Sequence, residues 1–277
     1  MKVRKKISNA CLYFILCSML IVWFFPFFWI IRTSLMEFTQ IISWPPVWIP
    51  DPIIFTNFTE GLTILPFTLF FRNTVFIIVM CLIGTLFTCT LCAYSFSRLR
   101  WPGRNKVFGL ILTAMMLPPA VTLIPTFIGW SVVGGVNTHL PLIVPAWLGG
   151  GAFFIFLARQ FFLTIPRELD EAALVDGAGY FTIYLRILLP TIRPVLIAIG
   201  LFVFINNWND FLVPLVYLHD ERLFTVALGL RTFMGMYHSQ WGYMMAAATF
   251  AVIPVLIIFL FGQKYVVEGV VMTGIKG

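Results

Sequence analysis

Four strongly polar side chains, Asn206, Asn207, Asn209 and Asp210, surround Trp208 in a stretch, 194–218, that is otherwise apolar. If that stretch crosses a bilayer its centre is Asn206, and an ionised aspartate at such depth costs about 2.5–3.5 kcal/mol unless water or partners receive it. On a helix Asn206, Asn209 and Asp210 share a face by the i, i+3, i+4 relation. Such a face can line a pathway for a polar solute, or it can bind helices together through hydrogen bonds of about 0.6 kcal/mol each. Both readings require polar groups that look inward, and both stay open.

The other reactive residue types point away from catalysis. Cys89 and Cys92 form a C-x-x-C, yet all five cysteines (Cys11, Cys17, Cys81, Cys89, Cys92) fall in the first two apolar stretches, where thiols stay neutral and serve packing. His139, His219 and His238 stand singly, so no metal site is expected. No G-x-x-x-x-G-K-[ST] phosphate loop occurs, which leaves this chain without the usual machinery for ATP hydrolysis.

The elements that hold these residues follow from composition. Of 277 residues 60% are hydrophobic and 10% charged, with mean hydropathy +0.97, against about a quarter charged in soluble domains. Six stretches of membrane-crossing length stand out: 11–31, 73–95, 107–128, 140–158, 194–218 and 243–262. The expectation is an all-α integral membrane domain spanning 1–277, with six transmembrane helices. Basic residues set its orientation: fourteen of the eighteen lysines and arginines fall on the side of the termini and four, Arg32, Arg72, Arg222 and Arg231, on the other. Both termini are therefore expected in the cytoplasm. The net charge of +7 suits anionic headgroups and needs no nucleic acid. The first stretch, preceded by basic residues, is read as a retained anchor, since it exceeds a signal-peptide core and no small-x-small cleavage pattern follows.

Between the spans, two outer connections are long. The first, 32–72, carries Trp44-Pro45-Pro46 and Ile49-Pro50-Asp51-Pro52 and is expected to be extended. The third, 219–242, ends with Tyr237, His238 and Trp241, which can anchor at the interface or dock something outside. Pro118-Pro119 and Pro125 interrupt the third span. A break there needs protein or a watery cavity to receive the freed carbonyls, though prolines also kink purely structural helices.

The segment between the fourth and fifth spans has its own logic. Pro166 suits a first helical turn, and Glu168, Asp170 and Glu171 complement the dipole of the helix that follows. Leu169, Ala172, Ala173 and Asp176 recur at i, i+3, i+4, i+7 and give that helix a small apolar face. Gly177 and Gly179 end it, and 181–189 can form a second short helix that stops at Pro190. Two short helices at a glycine bend make a knob that could enter a partner's groove, or an amphipathic loop lying on headgroups.

Glu171-Ala172-Ala173, Gly177, then Ile187-x-Leu189-Pro190 resembles the EAA signature of permease subunits of binding-protein-dependent ABC importers. Arg159-x-Phe161-Phe162, Asp176-Gly177-Ala178, Trp208-Asn209-Asp210-Phe211-Leu212-x-Pro214 and the tail Gly269-x-x-x-x-Gly274-x-Lys276-Gly277 resemble its carbohydrate branch, the maltose-type (MalG-like) permeases. The resemblance implies the type I ABC importer transmembrane fold, with a core over 73–262 and a coupling loop over 164–190. It further implies that Glu171, Ala172, Ala173, Asp176, Gly177, Ile187, Leu189 and Pro190 couple the chain to a cytoplasmic ATPase, which Gly274, Lys276 and Gly277 also reach. No cofactor is expected on this chain, ATP and Mg belonging to two separate ATPase subunits. A second homologous permease, an extracytoplasmic solute-binding protein and the bilayer of a bacterial inner membrane complete the implied surroundings. The implied cargo is a sugar or oligosaccharide, with glycerol phosphate or a sugar acid as the alternative. An ion-coupled secondary transporter would show inverted repeats and intramembrane charge pairs, and neither is evident.

Overall fold

The structure is a computed structural model and describes residues 2–235 and 240–274, with side chains at 9, 11–235 and 240–263. It is helical, with no strand among the described residues. The elements are α1 (Lys2–Ser34), α2 (Phe38–Ile41), α3 (Thr56–Thr63), α4 (Phe67–Ser97), α5 (Arg104–Ala114), α6 (Pro119–Val132), α7 (Leu140–Trp147), α8 (Ala152–Thr164) and α9 (Glu168–Val175). There follow α10 (Tyr180–Thr182), a π turn (Ile183–Leu188), α11 (Leu189–Thr191), α12 (Arg193–Asn209), α13 (Leu212–Tyr217), a 3-10 turn (Glu221–Leu223), α14 (Val226–Thr232) and α15 (Trp241–Gly274). Four stretches can each cross a membrane, Cys11–Ser34, Phe67–Ser97, Leu140–Thr164 and Trp241–Gln263. If each of two bent pairs is counted as one span the number rises to six: Arg104–Ala114 with Pro119–Val132, bent by 101°, and Tyr180–Thr191 with Arg193–Asn209, bent by 78°.

Several expectations are corrected. The second span begins at Phe67 rather than 73, because no charge before Arg72 interrupts its apolar run. The outer connection before it is partly helical, holding α2 and α3, since four of its five prolines cluster at 45–52, the fifth is Pro66, and 56–63 is left free to coil. The fourth span is interrupted at 148–151, where Gly149, Gly150 and Gly151 take φ of +105°, +66° and +114°, a region open to glycine. Pro190 does not stop its helix. Helical backbone runs on to Thr191, and the bend falls at Ile192, where φ and ψ are −92° and 15°. The wider π turn just ahead of Pro190 eases the clash that a proline ring makes with the carbonyl four residues back.

The chain forms two compact units. In the first, 1–67 with 229–253, Asn57 donates from Nδ2 to the carbonyls of Ser34 and Met36, both at 2.9 Å. There α3 and α15 approach so closely that a Cβ on Gly61 would lie 2.9 Å from the Tyr243 carbonyl. The second unit, 68–228 with 254–277, is built round α4, whose Ile77, Cys81, Cys89, Ala93 and Phe96 pack with Ala158 and Phe162 of α8 and with Val195 and Ile199 of α12. Burial of apolar surface gives little drive between helices in lipid, so small residues such as Ala93, Ala158 and Cys89, all fully buried, matter by permitting close packing.

Polar backbone freed by the glycine break is received by α4. The Thr88 hydroxyl accepts from the Gly149 N–H at 3.2 Å and lies within donating distance of the Ala146 carbonyl at 3.1 Å. That is how an irregular segment survives at membrane depth.

Candidate functional site

The knob forms, and its bend has a specific geometry. Helix α9 carries Glu168, Asp170 and Glu171 in its first turn, where carboxylates suit the helix dipole. It closes with Gly177 at φ +82°. Gly177 N–H donates to the Leu174 carbonyl at 3.0 Å and Ala178 N–H to the Ala173 carbonyl at 2.9 Å. This is the paired Schellman closure, in which the position after the cap must be left-handed.

The face that the heptad-like spacing assigns to a partner is split. Ala173 is buried within the chain, while Leu169, Ala172, Val175 and Asp176 are exposed. Ala173 joins the buried apolar core on the side of α9 where Asp170, one turn earlier, meets Arg98. The surface offered outward is therefore made by Leu169, Leu174, Val175, Tyr180, Phe181 and Leu185, with Val175 88% exposed. Among the other signature positions, Glu171, Gly177 and Pro190 are exposed, whereas Ile187 and Leu189 are half-buried and pack against the core.

Asp170 and Arg98 form an ion pair at 3.2 Å, with side chains 18% and 5% exposed. Arg98 also donates through Nη2 to the carbonyls of Phe162, in the last turn of α8, and of Ile165, just past it, both at 2.7 Å. Burial pushes the Asp170 carboxyl above the ordinary carboxylate range, with Arg98 pulling the other way. Further along α4, Tyr94 OH donates to the Tyr180 carbonyl at 3.0 Å and Thr90 Oγ1 lies 2.7 Å from Tyr184 OH. A cavity of about 510 Å³ opens beside the pair, lined in part by Tyr94, Arg167, Glu171 and Leu174. Sequence reading missed Thr90, Tyr94 and Arg98; their spacing of four along an apolar helix was the available signal.

The polar cluster on α12 is rearranged relative to expectation. The helix ends at Asn209, and Asp210 is extended at φ −68° and ψ 116°, so Asp210 does not share a helical face with Asn206 and Asn209. Its carboxylate accepts the Val213 N–H at 3.2 Å, a bond that local backbone can make only once the helix has ended. Asn206 and Asn209 are exposed, and Asn207 and Asp210 are half-buried. Asn207 and Asn209 each donate back to the carbonyl four residues earlier, Val203 at 2.8 Å and Ile205 at 2.9 Å. Trp208 is buried, stacked on Phe204 with centroids 5.4 Å apart.

On the opposite loops, Asn137 Oδ1 accepts from the N–H groups of His219 and Asp220 at 3.0 and 2.9 Å, and His139 Nε2 lies 2.9 Å from the Leu223 carbonyl. Asn73 Nδ2 donates to the carbonyls of Arg222 and Phe224. These bonds fix 219–226 as a shaped surface. Tyr237, His238, Lys276 and Gly277 lie outside the described residues, and of Gly274 only the helical backbone is described. Among the described residues no three His, Cys, Asp or Glu side chains gather as metal ligands.

Comparison with known proteins accounts for this combination of bent spans and a capped knob. The family described as binding-protein-dependent transport system inner membrane component matches residues 86–271. The arabinooligosaccharides transport system permease protein AraQ of Bacillus subtilis is 32% identical, covering 96% of this chain and 94% of its own. The sn-glycerol-3-phosphate transport system permease protein UgpE of Rhizobium meliloti is 31% identical, with 98% of each chain covered. A chain of a bacterial ABC transporter involved in the import of the acidic polysaccharide alginate shares the fold at TM-score 0.83 and 23% identity, with 94% of this chain and 96% of that one covered. The chain belongs to the family of binding-protein-dependent transport system inner membrane components, the multi-pass membrane permeases of ABC importers.

Proposed function

We propose that this permease forms one half of the pathway of an ATP-driven importer for a sugar or oligosaccharide, with both termini and the knob on the cytoplasmic side. The observation that carries the coupling half of this reading is the Schellman-closed knob, whose outward surface is apolar and exposed through Val175 and Phe181. A membrane protein that presents such a surface next to Glu168 and Glu171 is built to be gripped by another protein. One of two ATPase subunits, which bind ATP and Mg, grips it through Glu171, Ala172, Asp176 and Gly177, and closure of the two supplies the work. The tail at Gly274, Lys276 and Gly277 adds to that contact. A second homologous permease supplies the other half of the pathway, and a solute-binding protein docks on the loops ordered by Asn137 and Asn73.

For the solute, the relatives named for arabinooligosaccharides and for sn-glycerol-3-phosphate support two classes, of which the sugar is preferred because the sequence motifs follow the carbohydrate branch. Asn206 and Asn209, exposed at the end of α12, line the pathway. The test is to tag this chain, purify it from its native membranes and identify what accompanies it. The complex is then reconstituted in vesicles and offered labelled arabino-oligosaccharide, alginate oligosaccharide and glycerol 3-phosphate. Recovery of an ATPase and ATP-dependent uptake of an oligosaccharide are expected. Uptake of glycerol 3-phosphate alone replaces the sugar reading, and uptake by this chain without any ATPase overturns the mechanism.

A further inference from the structure

Helix α4 and the knob share a buried apolar cluster, with Ala93 and Tyr94 on one side and Ala173, Ile183 and Leu188 on the other, and a polar row runs beside it. Thr90, Tyr94 and Arg98 lie four residues apart, on one face of the helix. Their partners are, in the same order, the Tyr184 hydroxyl at 2.7 Å, the Tyr180 carbonyl at 3.0 Å and the Asp170 carboxylate at 3.2 Å. The Tyr94 and Tyr184 rings stand 5.3 Å apart, reinforcing the same line. Beside the row the space between α4 and the knob is hollow, the cavity of about 510 Å³ described above. The row supplies the directional polar contacts between the two elements, which apolar packing alone does not.

Arg98 has a further property. Its guanidinium holds Asp170 of α9 and, at the same time, the Phe162 and Ile165 carbonyls at the end of α8. One side chain thus joins α4, α8 and the coupling helix. The hydrogen-bonding atoms Arg98 Nε and Asp170 Oδ1 are buried without a protein partner. A group in that state stabilises a fold poorly, because desolvating it costs about 1–3 kcal/mol. A pair kept under such terms is better suited to holding position than to adding stability.

We propose that Thr90 and Tyr94 of α4 and Arg98 just past its C-terminal end, engaged with Tyr184, Tyr180 and Asp170, form the strut that transmits motion of the knob to the membrane helices. These are positioning residues: they touch neither nucleotide nor solute. The inference rests on the proposed importer function and adds the route by which work enters the bilayer. Removing the strut leaves the knob's outward surface intact, so ATPase binding persists while movement of the helices fails to follow hydrolysis.

The test uses the tagged complex in vesicles, scored for ATP hydrolysed and for import of the labelled solute that wild-type vesicles accept. Asp170→Asn and Tyr94→Phe are expected to recover ATPase at wild-type yield, to hydrolyse ATP within about threefold of wild type, and to import at least about tenfold less solute per ATP. Asp170→Glu is expected to restore most of the import. Tyr94→Phe removes one hydroxyl and keeps the ring, so it reports even if the Asp170 variant assembles badly. An import-to-hydrolysis ratio within about twofold of wild type in both variants overturns the strut. So does a parallel fall of yield, hydrolysis and import, the mark of a merely structural bracket. Absence of ATP-dependent uptake by the wild-type complex overturns the proposed function itself, and this inference with it.

Discussion

Substitution of Gly177 puts a number on how much the shape of the knob matters. Its φ of +82° is left-handed, and a Cβ added there would meet nothing within 4 Å. The cost of Gly177→Ala is therefore conformational alone, about 1–2 kcal/mol. Against it stand the two closing hydrogen bonds, Gly177 N–H to Leu174 and Ala178 N–H to Ala173, each of which contributes about 0.5–1.5 kcal/mol net. The strain is of the same size as the two local bonds that close the bend. The fraction of chains with a native knob should then fall several-fold, and apparent ATPase affinity falls with that fraction. Asn tolerates the left-handed region, so Gly177→Asn should stay within about twofold of wild type. Proline fixes φ near −65° and deletes the N–H that Leu174 receives, costing about 3 kcal/mol or more, and Gly177→Pro should abolish association. The assay is ATPase recovered per tagged chain over a range of detergent-solubilised ATPase concentrations. Wild-type recovery with Pro, or an Asn variant weaker than Ala, refutes the claim that the bend is what the ATPase recognises.

Glu171→Lys reverses an exposed charge on the gripping surface; the chain should insert normally yet recover no ATPase, and normal recovery counts against that surface. Gly150→Ala adds a Cβ 2.4 Å from Thr85 Cγ2 at φ +66°; strain and overpacking together predict destabilisation of about 2–5 kcal/mol, read as a lower SDS concentration for unfolding, and an unshifted midpoint refutes it. Asn206→Leu and Asn209→Leu should each reduce solute uptake about tenfold or more while ATPase recovery is unchanged, and undiminished, normally selective uptake in both removes their pathway role. Because Asp170 holds its proton to higher pH when folded than when unfolded, its contribution to stability declines as pH rises from the ordinary carboxylate value of about 3.9 through the folded value; Asp170→Asn should flatten that slope, and an identical slope sinks the assignment.

The spans, the Pro118-Pro119 break and the Gly177 bend were legible because each follows from one local rule: apolar length, a missing donor, a left-handed position. What escaped depends on distant partners. The glycine break at 148–151 sits inside an apolar window that hydropathy reads as continuous, and only Thr88 on another helix makes it tenable. Periodicity placed Ala173 with Ala172 on an outward face, but Ala173 lies in the buried core on the side of α9 where Asp170 meets Arg98, a partner seventy-two positions earlier in the chain. Asp210 was assigned to a helix whose end it helps to mark, because the carboxylate's bond to Val213 competes with the next helical turn.

Stiffness separates α4 from the other spans. α1, α6, α7 and α15 each carry an internal proline, at Pro26, Pro125, Pro145 and Pro254, and two spans are bent pairs. α4 has 31 residues and no proline, which at 1.5 Å per residue is about 46 Å of uninterrupted helix. That exceeds a hydrocarbon core of about 30 Å, so the helix can reach past the bilayer and still present Arg98 to the knob. It also carries both sets of polar cross-links, Thr88 to the glycine break and Thr90 and Tyr94, with Arg98 just past its end, to the knob. A lever has to be the member that bends least and is joined at both the driven and the driving point. In its unit α4 is the long helix without a proline, and it bonds both to the glycine break and to the knob.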